Sequence, residues 1–163
     1  MAFFNAAALV LHRNENFVLV RENRSAKAGF YNLPAGTLEV HEDIISCVLR
    51  EAREETGILD LRLEAFVGVY EIVTDDGNNI LLSVFAGSAD PSASLGSVQH
   101  SDVREFSYRD LLELDRSGQL RSPVVAQAVS DFRDGQRFPL SAVRTWKLRR
   151  LDSVTVDKPS VVG

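Results

Sequence analysis

The feature that most restricts the fold of this chain is the stretch from Asp43 to Thr56. It contains neither glycine nor proline and is closed by Gly57. Glycine tolerates the left-handed conformation in which helices commonly end, so the pattern predicts a helix over 43–56. Residues three and four apart share a helical face, which gathers Glu51, Glu54 and Glu55 within about 100° of arc. Ile45, Val48, Leu49 and Ala52 fall on a neighbouring face. Such a helix needs an apolar surface to pack on, and something to relieve the repulsion among its carboxylates.

That repulsion costs a few tenths of a kcal/mol per adverse pair on an exposed helix. The glutamates also stand at the C-terminal end, where the macrodipole disfavours anions. A hard divalent cation would remove both penalties, because Mg²⁺ or Mn²⁺ takes oxygen ligands, binds through few carboxylates plus phosphate oxygens, and keeps water in its shell. Glutamates alone are equally compatible with a solvated acidic face. The glycines weigh against that reading, since Gly36 in Pro34-Ala35-Gly36 lets backbone carbonyls approach a metal.

The surrounding pattern supplies the packing surface. Residues 4–12 and 17–21 are apolar runs separated by Arg13-Asn14-Glu15-Asn16, an antiparallel hairpin. Residues 61–73 and 79–87 form a second hairpin across Thr74-Asp75-Asp76-Gly77-Asn78. Between them, Phe30 to Gly36 reads as loop or short strand. A strand over Val103–Ser107 and helices over Arg109–Asp115 and Ser122–Phe132 follow. Strands and helices are mixed without regular alternation, so the fold class is α/β in the broad sense, an α+β arrangement or an α/β/α sandwich around a mixed β-sheet. The 163 residues suit one domain over 1–150, with a tail at 151–163.

The formal net charge of -5 speaks against a nucleic-acid surface, and the scattered His12, His41 and His100 form no metal-binding spacing. A lone cysteine, Cys47, cannot form an internal disulfide, which fits a reducing compartment, and the cytoplasm is the expected location. No apolar run reaches the roughly 18 residues of a membrane span. The partners expected are therefore a phosphorylated small molecule and a metal ion, with no nucleic acid and no membrane, on a monomer.

From Gly36 the sequence runs five residues to Glu42, seven more to Arg50, then Glu51-Ala52-Arg53-Glu54-Glu55-Thr56-Gly57-Ile58. This resembles a complete Nudix box, and such a pattern arises by chance on the order of once in 10⁹ starting positions. The resemblance implies an α/β/α sandwich and attack by water on a diphosphate, with Mg²⁺ or Mn²⁺ as cofactor. It also implies that Glu51, Glu54 and Glu55 hold metal together with a backbone carbonyl near Ala35, and that Arg50 orients a glutamate. Glu54 is the first choice for general base, Glu51 the next, and Asp102 an outside candidate.

Beyond the box, Tyr31-Asn32-Leu33-Pro34-Ala35-Gly36, Leu120 to Ala126 and Gly135 to Leu140 resemble a bacterial phosphatase branch of the family. That branch implies removal of a terminal phosphate from nucleoside di- and triphosphates, and action on hydroxymethylpyrimidine pyrophosphate or thiamin pyrophosphate. Arg21, Tyr31 and Asp102 are the expected substrate contacts, with Arg24 and Lys27 nearby. A nucleotide-sanitising or dinucleoside polyphosphate pyrophosphohydrolase is compatible with the same box. A non-catalytic nucleotide-binding module would usually have lost box glutamates, and here all are present.

Overall fold

A computed structural model describes residues 2–23, 28–96 and 102–146. Arg24, Lys27, His100 and the tail from 151 lie outside the described residues. The elements in chain order are β1 (Phe3–Arg13), β2 (Asn16–Arg21), β3 (Tyr31–Asn32), β4 (Ala35–Thr37), α1 (Ile44–Thr56), β5 (Leu61–Val73), β6 (Asn79–Ala89), β7 (Asp102–Phe106), α2 (Tyr108–Arg116) and α3 (Pro123–Arg133).

Both hairpins form where the turn chemistry predicts them. β1 and β2 pair antiparallel through His12↔Phe17 and Arg13↔Asn16. β5 and β6 pair antiparallel along their whole length, with bulges between Leu63 and Ala65 and between Phe66 and Gly68. The link between the hairpins is a parallel pairing of β1 with β6, from Phe3↔Asn79 to His12↔Ser88. Among the described residues the seven-stranded sheet has the order β3-β2-β1-β6-β5, with β4 on β1 and β7 on β2. It is therefore a mixed sheet, as its composition of elements suggests.

Alternation along β1 sends successive side chains to opposite faces. Ala7, Leu9 and Leu11 meet Cys47, Val48 and Ala52 of α1 in one core cluster. Ala8 and Val10 meet Leu111 of α2 and Val125, Val129 and Phe132 of α3 in another. Helices thus cover both faces, and the α/β/α layering follows. Full burial of Val48 contributes roughly 1.5–3 kcal/mol to docking α1 on the sheet. No described helix is long and apolar enough to cross a membrane.

Candidate active site

The helix bearing the glutamates is fixed at both ends. Asp43 caps its start by accepting from the Ser46 N–H at 2.9 Å. At its end Gly57 takes φ 75° and donates its N–H to the Arg53 carbonyl. A Cβ at Gly57 would stand 1.9 Å from the Gly96 carbonyl oxygen, so glycine is required there for its conformation and for the close backbone approach. Thr56, fully buried, donates its hydroxyl to the Ala52 carbonyl at 2.6 Å and accepts from the Ile58 N–H at 3.2 Å.

Arg50 organises the acidic face. Its guanidinium donates in bidentate fashion to Glu42, Nε at 2.8 Å and Nη2 at 2.9 Å. Its Nη1 donates to Glu51 at 2.7 Å and lies 3.5 Å from Glu54. The Thr37 carbonyl accepts from Nη2 at 3.3 Å, and the Glu39 carboxylate lies 3.9 Å away. Four carboxylates thus share one guanidinium. The hydrogen bonds from Arg50 hold the Glu42 carboxyl down at about 2, against the opposing effect of burial. The same bonds to Glu42 raise the Arg50 pKa above its ordinary value.

Strand β4 lies directly against these carboxylates. Its register on β1 pairs Thr37, Gly36 and Ala35 with Ala6, Ala7 and Ala8. Gly36 therefore faces α1, and a Cβ there would sit 2.0 Å from the Glu51 carboxyl carbon. The absence of a side chain is what lets Glu51 lie on the backbone of β4. Glu55, 8% exposed, accepts from the Ala35 N–H at 2.9 Å. Cys47 packs under the same turn, its thiol 3.8 Å from the Gly36 carbonyl, and burial pushes its pKa up to about 12.

The donors available for a metal are carboxylate and carbonyl oxygens, which suits a hard divalent cation, and the absence of a Gly36 side chain lets the Glu51 carboxylate lie against the β4 backbone. Among the described residues no three acidic, histidine or cysteine side chains converge into a ready ligand set. The carboxylates are instead held by Arg50 and by the Ala35 N–H, and ligation would turn Glu51 or Glu54 away from the guanidinium.

On the other face of the sheet, bounded by the same β4, lies a cleft of ≈ 370 Å³. It is lined by Phe4, Ile72, Ile80 and Leu82 of the sheet, by Val124 and Val125 of α3, and by Ala35, Gly36 and Thr37 of β4. Arg121, Ser122, Glu22, Asn32 and Thr37 are its polar side chains. The cleft and the carboxylates thus meet at β4 from opposite sides.

The sequence-predicted residues divide into two sets. Arg50, Glu51, Glu54 and Glu55 are brought together with Ala35. Arg21, Tyr31 and Asp102 form a separate group on β2 and its two neighbours, paired at Arg21↔Tyr31 and Arg21↔Asp102. None of the three lines the cleft.

Each of the three is engaged by neighbouring residues. Tyr31 is 6% exposed, packs edge-on against Phe106, and donates its hydroxyl to Asp102 at 3.0 Å, so no ring face is open for stacking. Burial, then the Asp102 carboxylate, raises the Tyr31 pKa. Asp102 also accepts from Arg104 at 2.8 Å, an ion pair along the sheet. Arg21 donates to the Gly29 carbonyl at 3.0 Å, with its guanidinium 5.7 Å from the Tyr31 ring. Conversely, sequence reasoning missed Glu22, Asn32, Phe4, Ile72 and Ile80. No local signal marks them, because strand pairing between residues some 70 positions apart assembles the cleft.

Three comparisons bear on this arrangement. A family model described as the NUDIX domain matches residues 3–128. The protein named phosphatase NudJ of Escherichia coli (strain K12) is 30% identical over 136 residues, covering 83% of this chain and 87% of that protein. A solved NUDIX hydrolase from Nitrosomonas europaea superposes with a TM-score of 0.76 at 28% identity, over 88% of this chain and 97% of that one. A MutT protein from Methanosarcina mazei Go1, 21% identical with a TM-score of 0.68 over 83% of this chain and 96% of its own, shares the fold.

Proposed function

The chain belongs to the Nudix family and is a Nudix phosphohydrolase, and from that premise we propose that it removes the terminal phosphate from a small diphosphate-bearing substrate with the carboxylates of α1. The observation that carries this reading is the junction at β4. Glu51 and Glu55 lie on one side of Ala35–Gly36, and a ligand-sized cleft opens on the other.

Glu51, Glu54, Glu55 and the Ala35 carbonyl would hold Mg²⁺ or Mn²⁺. The chemistry supplied by such a cation is neutralisation of phosphate oxygens and acidification of a bound water. Glu54 is the most exposed of the carboxylates bonded to Arg50 through helix α1, with its side chain 43% accessible against 14% for Glu51. That exposure brings it to solvent, and it takes the proton as general base. Arg50 is a positioning residue: its bonds to Glu42 and Thr37 anchor the loop before α1, while its contact with Glu51 fixes that carboxylate against Gly36. The likeness to phosphatase NudJ supports a phosphatase outcome, with nucleoside di- and triphosphates and hydroxymethylpyrimidine or thiamin pyrophosphate as substrates.

The test is product identity by ³¹P NMR for nucleoside triphosphates and diphosphates, hydroxymethylpyrimidine pyrophosphate, thiamin pyrophosphate and dinucleoside polyphosphates, with Mg²⁺ and then Mn²⁺. Orthophosphate from the first four supports the proposal. Pyrophosphate, or cleavage confined to dinucleoside polyphosphates, refutes the phosphatase assignment, and failure to turn over any of them refutes the enzyme reading altogether.

A further inference from the structure

A second cavity, of ≈ 430 Å³, opens near the end of β1, with Tyr108 of α2 and Phe132 of α3 in its lining. Gly36, against which Glu51 lies, pairs with Ala7 of β1, whereas this cavity is reached at His12 and at Asn14 of the β1–β2 turn. Five residues of strand at about 3.3 Å each separate the two places by roughly 17 Å. The cavity also lies on the side of the sheet that α2 and α3 cover, opposite α1.

Two guanidiniums line it, and each is set over an aromatic ring. Arg133, in the last turn of α3, has its guanidinium carbon 3.9 Å from the Tyr108 ring centroid. Arg137 has its own 4.2 Å from the Phe132 ring centroid, and its Nε donates to the Phe132 carbonyl at 3.3 Å. The His12 ring stacks on Phe132 as well, with centroids 5.5 Å apart. Among the described residues neither arginine forms an ion pair. A guanidinium carries its five N–H donors in its own plane, so one resting over a ring keeps them directed outwards. A cation in the last turn of a helix eases the helix dipole wherever its head lies. That accounts for a basic residue at 133, but not for two guanidiniums set over two rings in one cavity.

Two acids share the lining. Glu64 is engaged by its neighbours, 2.9 Å from His12 Nε2 and accepting from Ser88 Oγ at 2.6 Å. Glu15, exposed on the β1–β2 turn, opposes an anion and limits its affinity.

The donors select the ligand. A carboxylate has two coplanar oxygens, which a single guanidinium fork satisfies. Two forks suit an anion with more oxygens that do not share a plane, and a phosphoryl group presents three. A sugar or a hydrocarbon leaves both charges unmatched.

We propose that this cavity is a second, non-catalytic site, in which Arg133 and Arg137 together hold the phosphoryl group of a small molecule. The site stands apart from the hydrolytic reaction, and its test needs neither metal nor turnover.

The experiment follows the arginine Nε–H and Tyr108 ring resonances of the metal-free protein while inorganic phosphate or a nucleoside monophosphate is added at constant ionic strength. Saturable shifts are expected at Arg133, Arg137 and Tyr108, and none at Arg116, an exposed arginine at the end of α2. Replacing both residues, Arg133→Gln with Arg137→Gln, should weaken binding read at Tyr108 by about tenfold or more, through the loss of charge-assisted hydrogen bonds. Glu15→Gln should tighten it by about twofold. Thermal melts confirm that each variant is folded. Equal affinity for the two probes assigns the site to free phosphate, and tighter binding of the monoester assigns it to an esterified one; both support the proposal.

Shifts that Arg116 shares overturn it, because the anion then screens charge without occupying a site. A response confined to the Ala35 and Gly36 amides also overturns it, since the anion is then held beside α1. So does binding at Tyr108 that the double variant leaves unchanged, or that Glu15→Gln weakens.

Discussion

The two glycines of the helix-loop motif make opposite demands, and replacing each by alanine separates them. At Gly36 a Cβ would stand 2.0 Å from the Glu51 carboxyl carbon and Oε1, and 2.5 Å from Oε2. The three nearest atoms all belong to the Glu51 side chain, so the carboxylate must swing away by about an ångström or more. The fold loses the Arg50–Glu51 hydrogen bond of 2.7 Å, a charge-assisted contact worth about 1.5–3 kcal/mol. Alanine returns about 0.4–1 kcal/mol through the unfolded chain. The net loss is about 1–2 kcal/mol, a fall in Tm of about 2–8 °C for a chain of this size.

Activity should suffer far more in this variant, since misplacing a ligand by about an ångström costs about 10²-fold in rate. At Gly57 the obstacle is a backbone oxygen, 1.9 Å from the added Cβ, and φ is 75°. The left-handed conformation costs about 1–2 kcal/mol and overpacking about 1–3 kcal/mol. Gly57→Ala should therefore be the less stable protein, by about 2–5 kcal/mol relative to wild type, and should lose activity only through unfolding. Thermal melts by circular dichroism and kcat/KM on folded protein decide. Near-normal kcat/KM in Gly36→Ala, or a lower Tm for it than for Gly57→Ala, would refute the reasoning.

Three further outcomes follow from the same network. Glu54→Gln should lower kcat by about 10²–10⁴-fold while leaving the melting temperature near wild type, checked by steady-state kinetics beside calorimetry. Because Arg50 holds Glu42 at about 2, below its ordinary 4.5, the ionised carboxylate stabilises the fold above about pH 4.5, and that stability is lost as pH falls from there towards 2. Tm measured across that window should fall in wild type and flatten in Arg50→Ala; an unchanged slope would contradict the assignment. Cys47, fully buried with a thiol near 12, should resist alkylation by iodoacetamide in the native protein at pH 8 and react on unfolding, as mass spectrometry can read.

What sequence reasoning recovers here is what local chemistry encodes. The Asp43 cap, the Gly57 stop and the apolar stripe between them define α1 to within a residue, and the turn at 74–78 defines the β5–β6 hairpin. The parallel pairing of β1 with β6 is not local, since it joins Phe3 to Asn79 with no short turn to announce it. Everything that depends on that pairing was hidden, including the cleft lined by Phe4, Ile72 and Ile80. The same limit explains Tyr31 and Asp102. Each lies close in sequence to a glycine turn or a strand start, but β2 brings them together, and the bond between them joins residues 71 positions apart. Arg50, Glu51, Glu54 and Glu55 were legible because a single helix carries all four.

The measurement that tests the central claim most directly is orthophosphate release from a nucleoside diphosphate by wild type, with Mg²⁺ present, with EDTA added, and by Glu54→Gln under the same conditions. The account predicts release that EDTA abolishes, excess Mg²⁺ restores, and Glu54→Gln reduces by at least 10²-fold. Release that persists in EDTA, or a variant as fast as wild type, would contradict it.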